Sequence, residues 1–176
     1  MPTLQALSAY SHTNAQSAAL NNALTYNNNF CSYYWCQTDC ANFVSQCFNG
    51  GGLQPYGPWG VTWTGCYCGG AGMPSTAYQG TDTWVNNRLL RNWMNTTSGR
   101  GTSVNYWNDY RFQVGDYINY RWNDQPVSED VHHITIVSGW NGVGPLVCSH
   151  TSDLRNVPYD SLRPYNTSFR TYSIVY

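Results

Sequence analysis

Hydrophobic and polar positions change their period once along this chain. In the first half, apolar residues recur three and four apart. Ala15, Ala18, Ala19 and Leu20, extended by Leu24, form a narrow stripe that predicts a helix over 15–26, with Ser11 or Thr13 to cap its start. Residues 27–39 hold three successive Asn and a Tyr-Tyr-Trp cluster and read as a loop. Phe43, Val44, Cys47 and Phe48 then return to helical spacing and predict a helix over 40–49, with Asp39 as its N-cap and Gly50, Gly51 and Gly52 as its stop. Residues 54–80 are rich in Gly, Pro, Trp and Tyr without a period and read as a long surface loop. Trp84, Val85, Leu89, Trp93 and Met94 mark the core face of a third helix over 82–95.

Beyond that point the pattern alternates. Strands are predicted over 114–120, 131–137, 146–150 and 169–176, and the Asn141-Gly142 pair supplies a hairpin turn between the second and third. Helices first and strands second predict an α+β fold with an antiparallel sheet. The length of 176 residues suits a single domain spanning 1–176.

Composition narrows the functional classes. Only 10% of residues are charged while 16% are aromatic, and all eight cationic side chains are Arg. The formal net charge of -1 carries no footprint for nucleic acid or an anionic membrane. No run approaches the ~18 apolar residues that span a bilayer. No basic-then-apolar leader is visible at the N-terminus. Seven cysteines (Cys31, Cys36, Cys40, Cys47, Cys66, Cys68 and Cys148) nevertheless fit an oxidising, extracytoplasmic setting. Three disulfides would use six and leave one thiol over, and Cys31–Cys36 is the expected local pair. The sequons at Asn95 and Asn166 are compatible with secretion. The Cys and His spacings match no structural zinc signature, so neither a metal nor another cofactor is expected.

Among the cysteines, Cys40 alone follows a helix cap and precedes a buried apolar face. Backbone N–H groups at a helix start favour a thiolate there. A thiolate nucleophile also needs a base that can later protonate the leaving amine. His12 lies in a polar stretch and receives no role. His132 and His133 are adjacent on a strand and point to opposite sides of the sheet, and alternation does not choose between them. His150 ends the next strand, where a polar side chain can fix the tautomer of the base.

The block Asp39-Cys40-Ala41-Asn42-Phe43-Val44-Ser45-Gln46, followed by Gly51-Gly52, closely resembles the nucleophile motif of the bacterial putative amidase domain family. Further pieces agree in order: the Ala-rich leading helix, Thr83-Trp84, Val114-Gly115-Asp116-Tyr117-Ile118, His133 to Val137, and Ser149-His150-Thr151. The resemblance spans about Tyr10 to about Ser161. It implies a papain-like fold, shared with cysteine, histidine-dependent amidohydrolases and peptidases of bacterial cell walls. It implies Cys40 as nucleophile, His133 rather than His132 as base, and His150 as the orienting third residue, with Asp153 as the alternative. The Cys-rich stretch from Trp63 to Gly72 and the absence of Lys are not features of that family.

The expected reaction is attack of Cys40 on an amide carbonyl, release of the amine, and hydrolysis of the acyl-enzyme. The backbone N–H of Cys40 is one oxyanion donor, and Tyr33, Tyr34 or Gln37 the second. The expected substrate is a peptide amide of peptidoglycan, acted on by a secreted monomer. Two alternatives compete: an acyltransferase or transpeptidase on the same scaffold, and a non-catalytic wall- or carbohydrate-binding module.

Overall fold

Helix periodicity in the first half and alternation in the second do give an α+β architecture, described in a computed structural model for residues 10–25, 31, 39–64, 77–97, 101–104, 112–122, 133–165 and 167–175. Helix α1 runs His12–Asn22 and α2 Asp39–Gly50. A hairpin of β1 (Val61–Thr64) and β2 (Ala77–Gly80) leads to the short helices α3 (Asp82–Val85) and α4 (Asn87–Asn92) and a π-turn over Trp93–Thr97. The strands β3 (Gly101–Val104), β4 (Tyr117–Trp122), β5 (His133–Trp140), β6 (Pro145–Ser149), β7 (Leu154–Pro158) and β8 (Thr167–Val175) complete the chain, with a 3-10 turn over Tyr159–Tyr165 before the last. They form one antiparallel sheet in the order β3-β8-β4-β5-β6-β7.

Several elements depart from the sequence reading. α1 starts earlier, because Ser11 rather than Thr13 caps it by accepting the N–H of Asn14 at 3.2 Å. It also ends earlier. Ala15, Ala19 and Ala23 are buried, but Leu24 is 57% exposed and does not extend the stripe. The third helix is split. Asn86 is extended (φ -103°, ψ 120°), and its side chain accepts the N–H of Leu89 at 3.1 Å, ending one helix and capping the next. That break shifts the phase, so Leu90 is buried in place of Leu89. The region read as an unstructured loop over 54–80 contains the β1–β2 hairpin, and β3 and β7 are additional strands.

The sheet has two covered faces. Tyr117, Ile134, Ile136 and Cys148 pack beneath α1 and α2, together with Cys40, Phe43, Val44, Cys47 and Phe48. Ile118, Tyr120, Val137 and Val147 form the opposite face with Leu162. Trp59 stacks on Trp84 at 4.6 Å and on Trp93 at 4.8 Å between ring centroids, and all three are buried. These indoles belong to the core. The expected turn between β5 and β6 is present: Asn141 Oδ1 accepts the N–H groups of Val143 and Gly144 at 2.9 Å each, and Gly142 has φ +87°. No described helix is long and apolar enough to cross a membrane.

Candidate active site

α2 is amphipathic by sequence yet buried along nearly its whole length, from Asp39 to Phe48, with Gln46 alone half-buried. Polar residues in that stretch therefore need partners, and most have them. Asn42 Nδ2 donates to the carbonyl of Cys31 and to Asp39 Oδ1, both at 2.9 Å, while its Oδ1 accepts the indole N–H of Trp84 at 2.9 Å. Ser45 Oγ donates to the carbonyl of Trp84 at 2.8 Å and accepts the indole N–H of Trp59 at 3.0 Å. Phe43 stacks on the imidazole of His150, ring centroids 4.3 Å apart.

Asp39 is the first residue of α2, not the residue before it, and both oxygens of its carboxylate meet side chains. Oδ1 takes the Asn42 amide, and Oδ2 lies 2.5 Å from Nδ1 of His150. The other imidazole nitrogen, Nε2, lies 2.7 Å from the backbone carbonyl of Asn22 at the end of α1. A carbonyl only accepts, so Nε2 carries a proton and donates. Both partner side chains are almost wholly buried, at 2% for His150 and 1% for Asp39. Both His150 nitrogens are thus engaged, and neither is turned to His133.

Cys40 is the member of the block 39–45 whose functional group has no such structural duty. It is a free thiol, 7% exposed. Burial raises its pKa to about 11, and the adjacent Asp39 carboxylate adds to the rise. Against that, the backbone N–H groups of Ile134, Ala41 and Cys40 itself face the sulfur and favour its charged form. The Ile134 N–H was not foreseen from the sequence. Its signal is indirect: it belongs to the residue that follows His133.

His133 opens β5, paired with Tyr120 across β4, and the two rings lie 6.0 Å apart. It is half-buried as a residue, but Nε2 is enclosed and has no hydrogen-bond partner. Loss of solvent lowers its pKa to about 4. His133 precedes Ile134, whose N–H faces Cys40, but its ring shares the face of Tyr120, opposite α2, and no hydrogen bond joins it to Cys40. Asp153 lies in the turn after β6 with φ +20°. His132, Tyr33, Tyr34 and Gln37 lie outside the described residues. His12 has a structural setting: its Nδ1 is 2.9 Å from the Val114 carbonyl and 3.8 Å from Asp116.

The cysteine reading changes in one respect. Cys47 and Cys148 are free and buried like Cys40, so the leftover-thiol count does not single out Cys40. Cys31 is disulfide-bonded, and Cys36, its expected partner, lies outside the described residues together with Cys66 and Cys68. Among the described residues, no group of His, Cys, Asp and Glu side chains is arranged to hold a metal ion.

Neither the curated proteins nor the solved structures include a match to this chain. The Putative amidase domain, in contrast, matches residues 6–174, which contain the free thiol at the start of α2, the histidine at the start of β5 and the buried pair of Asp39 with His150. The chain belongs to the Putative amidase domain family, whose name denotes amide hydrolysis.

Proposed function

We propose that the chain is a secreted, monomeric, single-domain cysteine amidase of papain-like type that cleaves a peptide amide of bacterial peptidoglycan, with Cys40 as nucleophile and His133 as base and acid. The observation that carries this reading is the setting of Cys40. Within the block Asp39 to Ser45, Asp39, Asn42, Phe43 and Ser45 hold buried partners in place, whereas the Cys40 thiol is free and faced by three backbone N–H groups.

The same cause, burial, shifts both reacting groups toward neutrality, so the resting pair is thiol and neutral imidazole. Separating charge between groups near 11 and near 4 costs on the order of 10 kcal/mol before their mutual attraction is counted. Thiolate and imidazolium attract strongly in a buried site, which offsets part of that cost. Proton transfer therefore runs in concert with attack. As the C–S bond forms, the thiol proton passes to the unpartnered Nε2 of His133, a step that requires this ring to swing from the Tyr120 side of β5 toward Cys40. The N–H groups of Cys40 and Ile134, which face the sulfur, are the proposed donors to the developing oxyanion. His133 then gives its proton to the departing amine. A water molecule, deprotonated by the same ring, releases the acyl group as a carboxylic acid and restores the thiol.

The test is digestion of purified peptidoglycan by the wild-type chain and by Cys40→Ala, with products read by mass spectrometry. The expected result is an amide opened with addition of one water and a loss of at least about a thousandfold in the variant. Equal product from both proteins overturns the cysteine mechanism. A product carrying a second amine in place of water identifies acyl transfer. Binding to the wall without any product identifies a non-catalytic module.

A further inference from the structure

The position of His150 is not explained by the reaction above. Its imidazole is buried, sandwiched against Phe43, and hydrogen-bonded at both nitrogens, to Asp39 from α2 and to the Asn22 carbonyl from α1. A histidine that oriented the base would turn one nitrogen to it, and His150 has none to offer His133. Asp39, in turn, is covalently adjacent to the nucleophile. We propose that His150 is a positioning residue that acts on Cys40 through Asp39, by fixing and screening the carboxylate next to the thiol.

The physical reason is the cost of an uncompensated buried charge. Asp39 has to be satisfied because it is fully enclosed, and the Asn42 amide reaches only one of its oxygens. Nδ1 of His150 meets the other oxygen, while its Nε2 is held by the Asn22 carbonyl. A lone carboxylate in that position would repel the thiolate and every negative charge that develops above it. The groups that meet here come from each neighbouring element: Asn22 from α1, Asn42 and Phe43 from α2, the Ile134 N–H from β5, and His150 from the end of β6. Because the Asp39–His150 bond joins the start of α2 to the end of β6, the same contact also sets where the thiol stands over the sheet.

The inference rests on the nucleophile reading for its catalytic meaning, but its test does not need turnover. Alkylation of Cys40 by iodoacetamide, read peptide by peptide by mass spectrometry across neutral to strongly alkaline pH, gives the ionisation midpoint of that thiol. Asp39→Asn is expected to lower the midpoint by about one pH unit, which is about tenfold faster labelling at a fixed pH below it. His150→Gln is expected to raise it by a similar amount. The charge-free double variant Asp39→Asn/His150→Gln is expected to abolish that rise. A folded His150→Gln protein with the wild-type midpoint overturns the inference, because a purely structural or His133-directed role would leave the thiol unmoved. Should His150→Gln not fold, Asp39→Asn decides alone: an unchanged midpoint overturns the inference. Failure of the amidase reading appears separately, as unaltered peptidoglycan with the midpoint shifts intact.

Discussion

The backbone N–H of Ile134 is directed at the sulfur of Cys40. Through this contact the second helix and the central strand β5 meet at the sulfur of the proposed nucleophile, one residue after the candidate base. It also means that the stabilising donors around the sulfur are backbone groups, held by a helix start and a strand, which no side-chain substitution removes. The pH behaviour of the site then follows from the two groups that do titrate, Cys40 and His133.

For catalysis, the profile of kcat/KM reports the free enzyme. In the proposed reaction His133 must be neutral to accept the thiol proton, and its pKa of about 4 places the acid limb there. The thiol, near 11, places the alkaline limb far above neutrality. A broad plateau between the two is expected, within the range where the chain stays folded. A limb near the ordinary histidine value, or activity following an alkaline thiolate from neutrality upward, would show that the resting pair is not thiol and neutral imidazole.

For stability, the sign runs oppositely at the two ends. The folded protein refuses a proton at His133 that the unfolded chain accepts below its ordinary value of 6.5, so stability is complete above that and falls as pH drops toward 4. The full effect is about 3 kcal/mol. His133→Gln should flatten this window in urea titrations. The thiols of Cys40, Cys47 and Cys148 are all pushed upward by burial, so the unfolded chain loses these protons first as pH rises above about 9. Stability should fall there, with Cys40 contributing about 3 kcal/mol by the time pH reaches 11. An acid or alkaline arm unaffected by substitution of these residues would refute the assignment.

How far the sequence shows these relationships depends on their range. α2 is legible because Phe43, Val44, Cys47 and Phe48 repeat at helical spacing and three glycines stop it, all within a dozen residues. The hairpin at Asn141-Gly142 is legible for the same reason. The break at Asn86 is not, because a side-chain bond to Leu89 N–H leaves the apolar spacing intact while ending the helix. β7 is not, because its residues are largely exposed and Asn156 in its middle has φ +54°, which leaves no alternation to read. The partner of Asp39 is least legible of all. It lies 111 positions away, and a strand pattern can place His150 at a strand end without saying which acceptors it meets.

Ser45 separates motif residues that hold the fold from the proposed nucleophile. Its hydroxyl links the Trp84 carbonyl and the Trp59 indole, both buried. Ser45→Ala removes both buried hydrogen bonds and is expected to cost about 2–4 kcal/mol. Thermal melting should show the loss, while kcat measured well below the melt should stay within about twofold. A large fall in kcat with unchanged stability would place Ser45 in the reaction instead.

Gly115 tests how the first helix is tied to the sheet. It sits at φ +85°, where its N–H donates to the Val137 carbonyl at 2.8 Å and its carbonyl accepts the Tyr10 hydroxyl at 2.8 Å. A Cβ there would come within 2.9 Å of the His12 carbonyl oxygen and 3.0 Å of the His12 Cα, which are backbone atoms that cannot swing aside. Gly142 has nearly the same φ, +87°, but a Cβ on it meets nothing within 4 Å. Comparing Gly115→Ala with Gly142→Ala therefore separates conformational strain from packing. The second change should cost about 1 kcal/mol, the strain of a left-handed residue alone. The first should cost at least about 2 kcal/mol more, since the start of α1 must move off the turn before β4. Equal losses in chemical denaturation would mean that α1 yields without resistance and that Gly115 is required only for its dihedral angle.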